Sequence, residues 1–459
     1  MKFIFHIFLN IIIINFIISI IVLPLRKTTS MFNFTNSYEF IKYFQQNNLY
    51  TIFKIGEPLQ NLEILIKEDE TIFLVNSLNC NLKSYYNRDI SKTFKYISKI
   101  DYINYNYDYL DYYLGEETFY FYTDLNLKNL TKFEKIPFVY EKEEKKVNDI
   151  NYNCGAITLE LFRYNKEKNN YNFIFELKKL GYINDYSWTV KYIENDKNDL
   201  QGYLIIGDYP HLYDSQNYDE INIRTTLNNL AEKNWNLEFK NITINDTPLT
   251  HYMTGIISFN KACIIGTEEY KSKISYIYFN EYLGKNICFE DNTNSHFFLY
   301  YCNANKFNKT DIDKFPALNF YHFQYNYTFT FNGTDLFLES NGYYYFLIIF
   351  DRYDYRNWYF GKLFLKKYQL IFNPDSKMIS FYIDKNINND EQKDKENILN
   401  HNINNNIVII ILIIIGIISF ITGLIIGSII YKNKKKKNAK EMDDNEYLFE
   451  SNINNTENI

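Results

Sequence analysis

Two apolar segments of this 459-residue chain each end in side chains that could do chemistry. In the first, apolar residues alternate over 62–66 as they do in a strand, and the chain then passes into Lys67 and the acidic run 68–70. In the second, the apolar residues 255–257 lead directly into Ser258. Amines, carboxylates and hydroxyls are the groups of acid–base and nucleophilic catalysis. The two segment ends are therefore candidates for a reactive site, which neighbouring elements must hold in place.

Those elements are predicted to be mostly strands. Short runs rich in Tyr, Ile and Phe alternate with Asn and Asp turns, a pattern typical of β structure. One stretch differs, because residues 172–180 carry apolar side chains at helical spacing and are followed by Gly181. Glycine is a frequent helix stop, so a short helix is predicted there.

The composition indicates a folded protein with more than one domain. Its 46% hydrophobic content is enough for a substantial core, and 459 residues can form two or three ordinary domains. The net charge is -6, and the lysines of the body are interleaved with acids instead of forming a basic face. A nucleic-acid partner is therefore not expected. No cofactor and no metal is expected either.

The two ends of the chain predict a secretory, membrane-anchored protein. Residues 1–25 form an apolar run typical of a signal peptide, or of a signal anchor if it is retained, and 26–48 would be a leader to the body. A second apolar run, 407–431, is long enough to cross a bilayer, which takes about 20 residues. It lies between a polar stalk, 384–406, and a tail, 432–459, whose first residues are mostly lysines. The positive-inside rule places that tail in the cytosol and the body in the lumen or outside the cell, in a type I arrangement.

Sequons and cysteines fit such a compartment. In this Asn-rich chain some sequons arise by chance, and the candidate N-glycosylation sites are Asn33, Asn129, Asn241, Asn245, Asn308, Asn326 and Asn332. The five cysteines are Cys80, Cys154, Cys263, Cys288 and Cys302. In an oxidising compartment they would form disulfides or remain as buried thiols, and their odd number leaves at least one unpaired in the monomer.

A series of segments follows the order known from one enzyme family. They are 55–60 (Ile-Gly-Glu-Pro-Leu-Gln), 104–107 (Asn-Tyr-Asn-Tyr) with 114–115 (Leu-Gly), 154–159 (Cys-Gly-Ala-Ile-Thr-Leu), 180–183 (Leu-Gly-Tyr-Ile), 202–207 (Gly-Tyr-Leu-Ile-Ile-Gly), Trp235, 315–320 (Phe-Pro-Ala-Leu-Asn-Phe) and 358–368 (Trp-Tyr-Phe-Gly-Lys-Leu-Phe-Leu-Lys-Lys-Tyr). In this order and with these gaps, residues 50–382 resemble the pepsin-like aspartic proteases, peptidase family A1. The last segment has Lys362 where the family has an aspartate.

The resemblance implies a mostly β, bilobal, pepsin-like double β-barrel with short helices, followed by the C-terminal transmembrane helix. The N-terminal lobe would cover 49–207 and the C-terminal lobe 208–383. Tyr105 falls on the tyrosine of the family's flap hairpin, a candidate for peptide binding. Cys288 and Cys302 lie in a stretch that holds a disulfide in the family, so the resemblance implies that they are paired.

In the family each lobe supplies one catalytic aspartate, and the resemblance places Lys67 and Ser258 at those positions. The family cleaves peptide bonds with two carboxylates about 3 Å apart that share one proton. An amine and a hydroxyl cannot reproduce that arrangement, so no catalytic residue is assigned. The turn glycines of the family are replaced by Asp69 and Asn260, which tolerate left-handed backbone. Gly266 is expected to close the second turn.

Three other readings of this site are open. A slip in register could bring Glu68 or Asp69 to the acid's place, although the strand alternation before Lys67 fixes the count. Lys67 and Ser258 could form a serine–lysine dyad with the serine as nucleophile. The cleft could also bind extended peptide without cutting it, beneath the flap around Tyr105, or it could be collapsed by large side chains.

The sequence therefore predicts a membrane-anchored homologue of these proteases that has lost peptidase activity and binds a lumenal peptide or protein. The alternatives are an active aspartic-type endopeptidase of the secretory pathway and a surface or adhesion protein that keeps only the scaffold. Within the predicted span, Ser419, Gly423 and Gly427 follow small-xxx-small spacing. That spacing either lets two helices pack closely in a homodimer or is incidental.

Overall fold

Alternation of buried and exposed side chains gives most of this chain its strands. In Leu49–Ile55, residues 49, 51, 53 and 55 are buried and the residues between them are at least partly exposed. The computed structural model describes residues 20–27, 39–40, 49–67, 73–75, 86–100, 112–141, 155–159, 172–193, 200–220, 224–228, 234–354 and 357–382.

The strands fall into two groups along the chain. In the described part of the first half they are β1 (Ile21–Lys27), β2 (Leu49–Ile55), β3 (Gln60–Lys67), β4 (Leu74–Val75), β5 (Lys95–Ile100), β6 (Tyr112–Tyr122), β7 (Leu130–Glu141), β8 (Gly155–Thr158), β9 (Trp188–Tyr192) and β10 (Leu200–Ile206). In the second half they are β11 (Arg224–Asn228), β12 (Asn236–Ile244), β13 (Thr247–Ile257), β14 (Ile264–Thr267), β15 (Cys288–Asp291), β16 (Phe297–Asn303), β17 (Leu318–His322), β18 (Tyr327–Phe331), β19 (Phe337–Ser340), β20 (Tyr343–Phe346), β21 (Ile348–Asp351), β22 (Asn357–Phe360), β23 (Gln369–Asn373) and β24 (Met378–Tyr382).

The helices in the described part of the chain are short. They are α1 (Phe173–Lys179), α2 (Pro210–Tyr213), α3 (Glu268–Ile274), α4 (Asn280–Gly284), α5 (Lys309–Asp313), α6 (Gly333–Leu336) and α7 (Lys362–Lys367). A 3-10 turn covers Arg88–Ile90, and a π-helical turn, Ser275–Phe279, joins α3 to α4.

α1 confirms the predicted helix and its glycine stop. The side chain of Asn172 caps the first turn. At the other end Gly181 has a φ of 75°, its N–H donates to the carbonyl of Lys178, and the N–H of Tyr182 donates to that of Leu177. These are the paired bonds of a Schellman motif, which uses the left-handed backbone that glycine adopts without strain.

The described strands form two large sheets. Thirteen of them are ordered β11-β24-β23-β9-β10-β1-β2-β3-β8-β4-β7-β6-β5. The other sheet has eleven, ordered β18-β17-β12-β13-β22-β14-β21-β16-β20-β19, with β15 paired to β16. β23 and β24 come from the C-terminal part of the chain but join the first sheet through β9. The predicted lobe boundary between residues 207 and 208 is therefore not a boundary between the two sheets.

β1 is a central strand of the first sheet. It pairs with β10 over most of its length and with β2 where Lys27 lies opposite Leu49. Its Ile21, Val22 and Leu25 are 0% exposed. Loss of β1 would therefore leave the neighbouring strands β10 and β2 without their shared partner.

These residues were predicted to belong to a signal segment, 1–25, and to a leader, 26–48, and those boundaries do not match the structure. The body includes Ile20 and all of β1. Phe40, inside the predicted leader, is 0% exposed and packs in the second lobe. The physical reason for the error is that a strand buried on both faces is as continuously apolar as a signal sequence.

The predicted disulfide between Cys288 and Cys302 is present, and the two residues lie directly opposite each other on β15 and β16. Cys263 is a buried free thiol, and burial raises its pKa to about 12. It therefore stays protonated and unreactive near neutral pH. Cys80 and Cys154 lie outside the described residues.

His322 is a buried titratable group in the second lobe. It is 1% exposed, and its Nδ1 accepts a hydrogen bond from the N–H of Tyr325 at 3.2 Å. Its ring packs against the rings of Tyr325 and Phe239. Burial lowers the pKa of His322 from 6.5 to about 4, so the neutral imidazole is the folded form at neutral pH.

We expect this histidine to make the fold sensitive to acid. The unfolded chain takes up the proton first, so the free energy of unfolding should fall by about 3 kcal/mol as the pH drops from 6.5 to about 4. His322→Asn keeps an acceptor for the N–H of Tyr325 but cannot titrate. Urea unfolding of both proteins at about pH 7 and about pH 4 should show a smaller loss in the variant. An equal loss in both proteins would contradict this assignment.

Candidate functional site

The first candidate position lies at the end of β3. This strand runs parallel to β8, with Ile66 opposite Ile157 and Lys67 opposite Thr158. The N–H of Leu159 donates to the carbonyl oxygen of Lys67 at 3.0 Å. The backbone at Lys67 is therefore fixed by the neighbouring strand, and its side chain is partly exposed.

The second candidate position follows β13. This strand runs parallel to β22, with Ile257 opposite Phe360. Ser258 is 2% exposed, and its N–H donates to the carbonyl of Phe360 at 3.0 Å. The N–H of Lys261 then donates to the carbonyl of Ser258 at 3.3 Å, which closes a β-turn. Asn260 in this turn has no positive φ, so the expected tolerance of left-handed backbone is not used there.

Gly266 does not close the second turn, which corrects the expectation from the sequence. It lies within β14, opposite Phe350 of β21. A Cβ at this position would come 3.2 Å from the Trp358 ring. Glycine is present for close packing between strands, not for a turn. Asp69, the residue at the first turn's glycine position, lies outside the described residues.

The two lobes hold Lys67 and Ser258 in the same way. In each lobe a hairpin strand ends beside a parallel strand that pairs antiparallel with a third, as β3, β8 and β4 do in one lobe and β13, β22 and β14 in the other. Lys67 follows Ile66 in the first set, and Ser258 follows Ile257 in the second. The two residues thus occupy equivalent points of a repeated motif.

A chain of hydrogen bonds through Trp235 connects the two positions. Leu159, whose N–H binds the carbonyl of Lys67, accepts at its own carbonyl from Nε1 of Trp235 at 2.8 Å. The carbonyl of Trp235 accepts from the N–H of Ile257 at 2.7 Å, directly before Ser258. Trp235 is 3% exposed. The two strand ends are therefore connected through the side chain and the backbone carbonyl of one buried tryptophan.

Aromatic packing anchors the turn that begins at Ser258 to the first sheet. Trp188 of β9 is 1% exposed and stacks on Phe372 of β23, with ring centroids 4.2 Å apart. It also meets Trp235 edge-on at 5.9 Å and Phe259 at 5.4 Å. Phe259 immediately follows Ser258. Its contact with Trp188 therefore fixes the turn that begins at Ser258 against β9, which comes from the first half of the chain, and β23, which comes from the second. We refer to Trp188, Trp235, Phe259 and Phe372 as the aromatic junction.

Lys362, which replaces an aspartate of the resembled family, forms a contact across the lobes. A Cβ at the preceding Gly361 would lie 2.2 Å from the carbonyl oxygen of Lys261, so only glycine permits this approach. Nζ of Lys362 donates to Oε1 of Gln201 on β10 at 2.5 Å and lies 5.5 Å from the ring centroid of Tyr192 on β9. The side chain thus connects α7 to the first sheet.

The arrangement places no carboxylate at either of the two equivalent positions. Because Lys67 pairs with Thr158 in register, Glu68 and Asp69 fall beyond the end of β3, which disfavours the register slip. A serine–lysine dyad would need substrate access to Ser258, which is 2% exposed.

Among the described residues, no three His, Cys, Asp or Glu side chains lie close enough together to hold a metal ion.

The predicted glycosylation sites that the structure describes lie mainly on the surface. Asn332 is partly buried, whereas the exposed ones are Asn129, Asn241, Asn245, Asn308 and Asn326. Of these, Asn241, Asn245 and Asn326 have positive φ values of about 50°, and Asn241 has it at an irregularity within β12. Exposed side chains leave room for a glycan.

The remaining predicted features lie outside the described residues. These are Tyr105, Asn33, the stalk 384–406, the span 407–431 with Ser419, Gly423 and Gly427, and the tail 432–459. The strands flanking Tyr105, β5 and β6, pair with each other where Ile100 lies opposite Tyr112. In the part of the chain that is described, no helix is long and apolar enough to cross a membrane.

Sequence reasoning missed three contacts of this site. Phe259 carried one sign, an apolar residue inside an otherwise polar turn. Phe40 lies in the segment 38–44, in which four of the seven residues are aromatic. Gln201 carried no sign, because nothing local marks a partner of Lys362 that lies 161 residues away in the sequence.

The comparisons with known proteins agree with this architecture. No protein-family model and no curated protein matches the sequence. Among solved structures, the crystal structure of basic 7S globulin from soybean matches with a TM-score of 0.55, over 79% of this chain and 95% of that chain. The sequence identity is 13%, so the likeness shows the fold alone. The chain has a mostly β, pepsin-like fold.

The hydrogen bond from Trp235 predicts a difference between two tryptophan variants. Trp235→Phe removes the donor to the buried carbonyl of Leu159, whereas Nε1 of Trp188 has no hydrogen-bond partner in the described structure. Trp235→Phe should therefore lower the free energy of unfolding by about 1–3 kcal/mol more than Trp188→Phe does. Urea unfolding of the two variants checks this, and equal losses would show that the bond contributes nothing.

Proposed function

We propose that this chain is a membrane-anchored protein of the secretory pathway that has the pepsin-like fold, lacks peptidase activity and binds a lumenal peptide or protein. One observation carries the proposal: the two equivalent strand ends hold Lys67 and Ser258. Hydrolysis by this fold depends on two carboxylates that share a proton and polarise a water molecule. An ammonium group and a neutral hydroxyl offer no such pair.

The contacts that hold Lys67 and Ser258 in place favour a binding role over a site that has no function. The hydrogen bonds that fix Lys67 and Ser258 to their neighbouring strands are formed, and Trp235 joins them across the lobes. Phe259 is held in the aromatic junction. The backbone around the partly exposed Lys67 is thus fixed before any ligand arrives, and groups held in place in this way lose little entropy on binding.

The membrane and secretory parts of the proposal rest on the sequence. They are supported by the apolar run 407–431, the lysines that follow it, the exposed sequons and the Cys288–Cys302 disulfide. If a signal peptide is removed, its cleavage must come before Ile20, because β1 is buried in the first sheet.

The absence of peptidase activity can be tested directly. We expect the purified full-length protein to release no fragments from a denatured protein substrate between about pH 3 and about pH 8, because neither position can supply the shared-proton carboxylate pair. Fragments that pepstatin suppresses would refute the proposal. Cleavage that resists pepstatin and disappears in Ser258→Ala would favour the serine–lysine dyad instead.

Peptide binding in the cleft is a separate prediction. A library of short random peptides, screened on the immobilised full-length protein, should yield binders whose affinity falls about tenfold or more in Tyr105→Ala. Tyr96→Ala is the matched control, since Tyr96 lies on β5 beside the same segment and is 53% exposed. Calorimetry of a selected peptide with all three proteins gives the affinities. Equal affinity for wild type and Tyr105→Ala would place the binding surface elsewhere.

A further inference from the structure

The loop between β17 and β18 carries an exposed aromatic ring and a sequon. The two strands pair up to His322 opposite Tyr327, and residues 323–326 connect them. The N–H of Asn326 donates to the carbonyl of Phe323 at 3.2 Å, which closes a β-turn, and Asn326 has a φ of 50°. Asparagine adopts this left-handed backbone more readily than most residues do. The backbone of the turn therefore suits the residue that heads the sequon.

The turn is fixed to the body by Tyr325. This residue is 4% exposed, and its hydroxyl donates to the carbonyl of Ile379 on β24 at 2.8 Å. Its N–H donates to Nδ1 of His322 at 3.2 Å. Phe323 and Asn326, on either side of Tyr325, are exposed. The turn thus presents these two side chains to solvent from a fixed backbone.

The ring and the sequon lie on the same face of the hairpin. Side chains of a strand alternate between its faces, so Tyr321 and Phe323 share one face, and Thr328 lies opposite Tyr321 in register. His322, which lies between them on the other face, is 1% exposed. The hydroxyl of Tyr321 donates to Oδ1 of Asn326 at 3.2 Å, which holds the asparagine side chain on that same exposed face.

The hydrogen bond to Asn326 leaves its nitrogen for modification. Tyr321 binds the amide oxygen, and among the described residues Nδ2 of Asn326 has no hydrogen-bond partner. N-glycosylation uses Nδ2, and it leaves the amide oxygen as an acceptor. The contact with Tyr321 is therefore compatible with an attached sugar and would fix the direction in which that sugar leaves the protein.

Phe323 offers a surface on which a sugar can pack. Its ring is 39% exposed, and Nζ of Lys240 lies 4.1 Å from the ring centroid. Lys240 belongs to β12 and pairs with Tyr321, so it approaches the ring from the β12 side, whereas the loop that carries Asn326 leads away to β18. The faces of an aromatic ring are electrostatically negative. They attract the C–H groups of a pyranose ring as they attract the ammonium group of Lys240.

The other described sequons lack this combination. Among the sequons that the structure describes, Asn326 alone follows an exposed aromatic residue within three positions. Asn129 and Asn245 have no aromatic residue in that interval. The remaining three are preceded there only by aromatic residues that are 0% exposed, which are Phe239, Phe307, Phe329 and Phe331.

We propose that Asn326 carries an N-linked glycan whose first N-acetylglucosamine packs on the ring of Phe323 and stabilises the turn. This rests on the secretory part of the proposed function, because the donor is an oligosaccharide linked to a lipid pyrophosphate of that pathway. Nδ2 forms a bond to the anomeric carbon of the donor and gives up one of its two protons to a base of the transferase. The bond from that carbon to the pyrophosphate oxygen breaks, and the lipid pyrophosphate leaves.

A double-mutant cycle on full-length protein from a eukaryotic secretory host tests the packing. The four proteins are wild type, Thr328→Ala, Phe323→Ala and the double variant. Thr328→Ala removes the sequon but keeps Asn326, and the other sequons are common to all four. We expect Phe323→Ala to lower the thermal midpoint by about 2 °C or more beyond its effect in the Thr328→Ala background. Equal shifts in the two backgrounds would overturn the proposal.

Trimming the glycan identifies the sugar that makes the contact. An endoglycosidase that leaves only the first N-acetylglucosamine on the asparagine should leave the difference between the two backgrounds unchanged. If the difference disappears on trimming, the first sugar does not pack on Phe323 and the proposal is overturned.

A second variant of Phe323 tests the role of the ring. Phe323→Leu keeps an apolar side chain but has no aromatic face, so it should lose the stabilisation by the glycan as Phe323→Ala does. Full stabilisation in Phe323→Leu would overturn the proposal. If both Phe323 variants fail to fold with and without the sequon, the ring is needed for the fold itself, and the proposal is overturned as well.

Glycopeptide mass spectrometry of the wild type separates this proposal from the proposed function. Glycans at Asn129 or other sequons, with Asn326 unmodified, would overturn the assignment of Asn326 and leave the secretory part standing. An absence of glycans at every sequon would reject the secretory part and this proposal with it. A glycan at Asn326 together with the expected difference in the cycle supports both.

Discussion

The packing of Trp188 and Trp235 between the lobes is the contact on which the rest of this structure depends. Strands from both halves of the chain meet at Trp188, because β9 carries it and β23 carries the ring that stacks on it. Trp235 packs against Trp188 and also forms hydrogen bonds with Leu159 and Ile257, which adjoin the two candidate positions. Buried aromatic rings contribute large apolar area and fixed geometry, so the separation of the two strand ends is set here. Relative motion of the lobes would have to disrupt this junction.

Two lysines of the site make contacts that depend on their own chemistry or backbone. In the resembled family, aspartates would stand at positions 67 and 362. At position 362 the lysine now donates a hydrogen bond to Gln201 in the other lobe, which a carboxylate could not donate. At position 67 the backbone carbonyl accepts a hydrogen bond from the N–H of Leu159, and the residue pairs with Thr158 of the neighbouring strand. Both lysines are thus held by contacts of the fold, Lys67 through its backbone and Lys362 through its side chain.

Local patterns predicted the local elements well. The stop at Gly181 follows from the left-handed backbone that glycine adopts, and the strand alternation before Lys67 matches the pairing of β3 with β8. The resemblance to a known family supplied the Cys288–Cys302 pair and the two-lobed fold. These features could be predicted because each depends on neighbours in sequence or on a motif with a fixed order.

The sequence failed where partners are distant. β1 resembled a signal segment because its residues are apolar on both faces, and only β10 and β2 on either side make that a strand. The closure of the first sheet by β23 and the burial of Phe40 likewise depend on residues far away in the chain. No local pattern encodes such a contact, since either partner alone is only another apolar residue.

The central place of β1 has a consequence for how the protein is made. β1 is among the first parts of the body to be synthesised, yet it must wait for β10, and the sheet is complete only when β23 and β24 emerge about 350 residues later. Until then β9 lacks its neighbour β23, and an unpaired strand edge is a site at which nascent chains can pair wrongly and aggregate. A ribosome that stalls before β23 would release a chain that cannot close its own sheet.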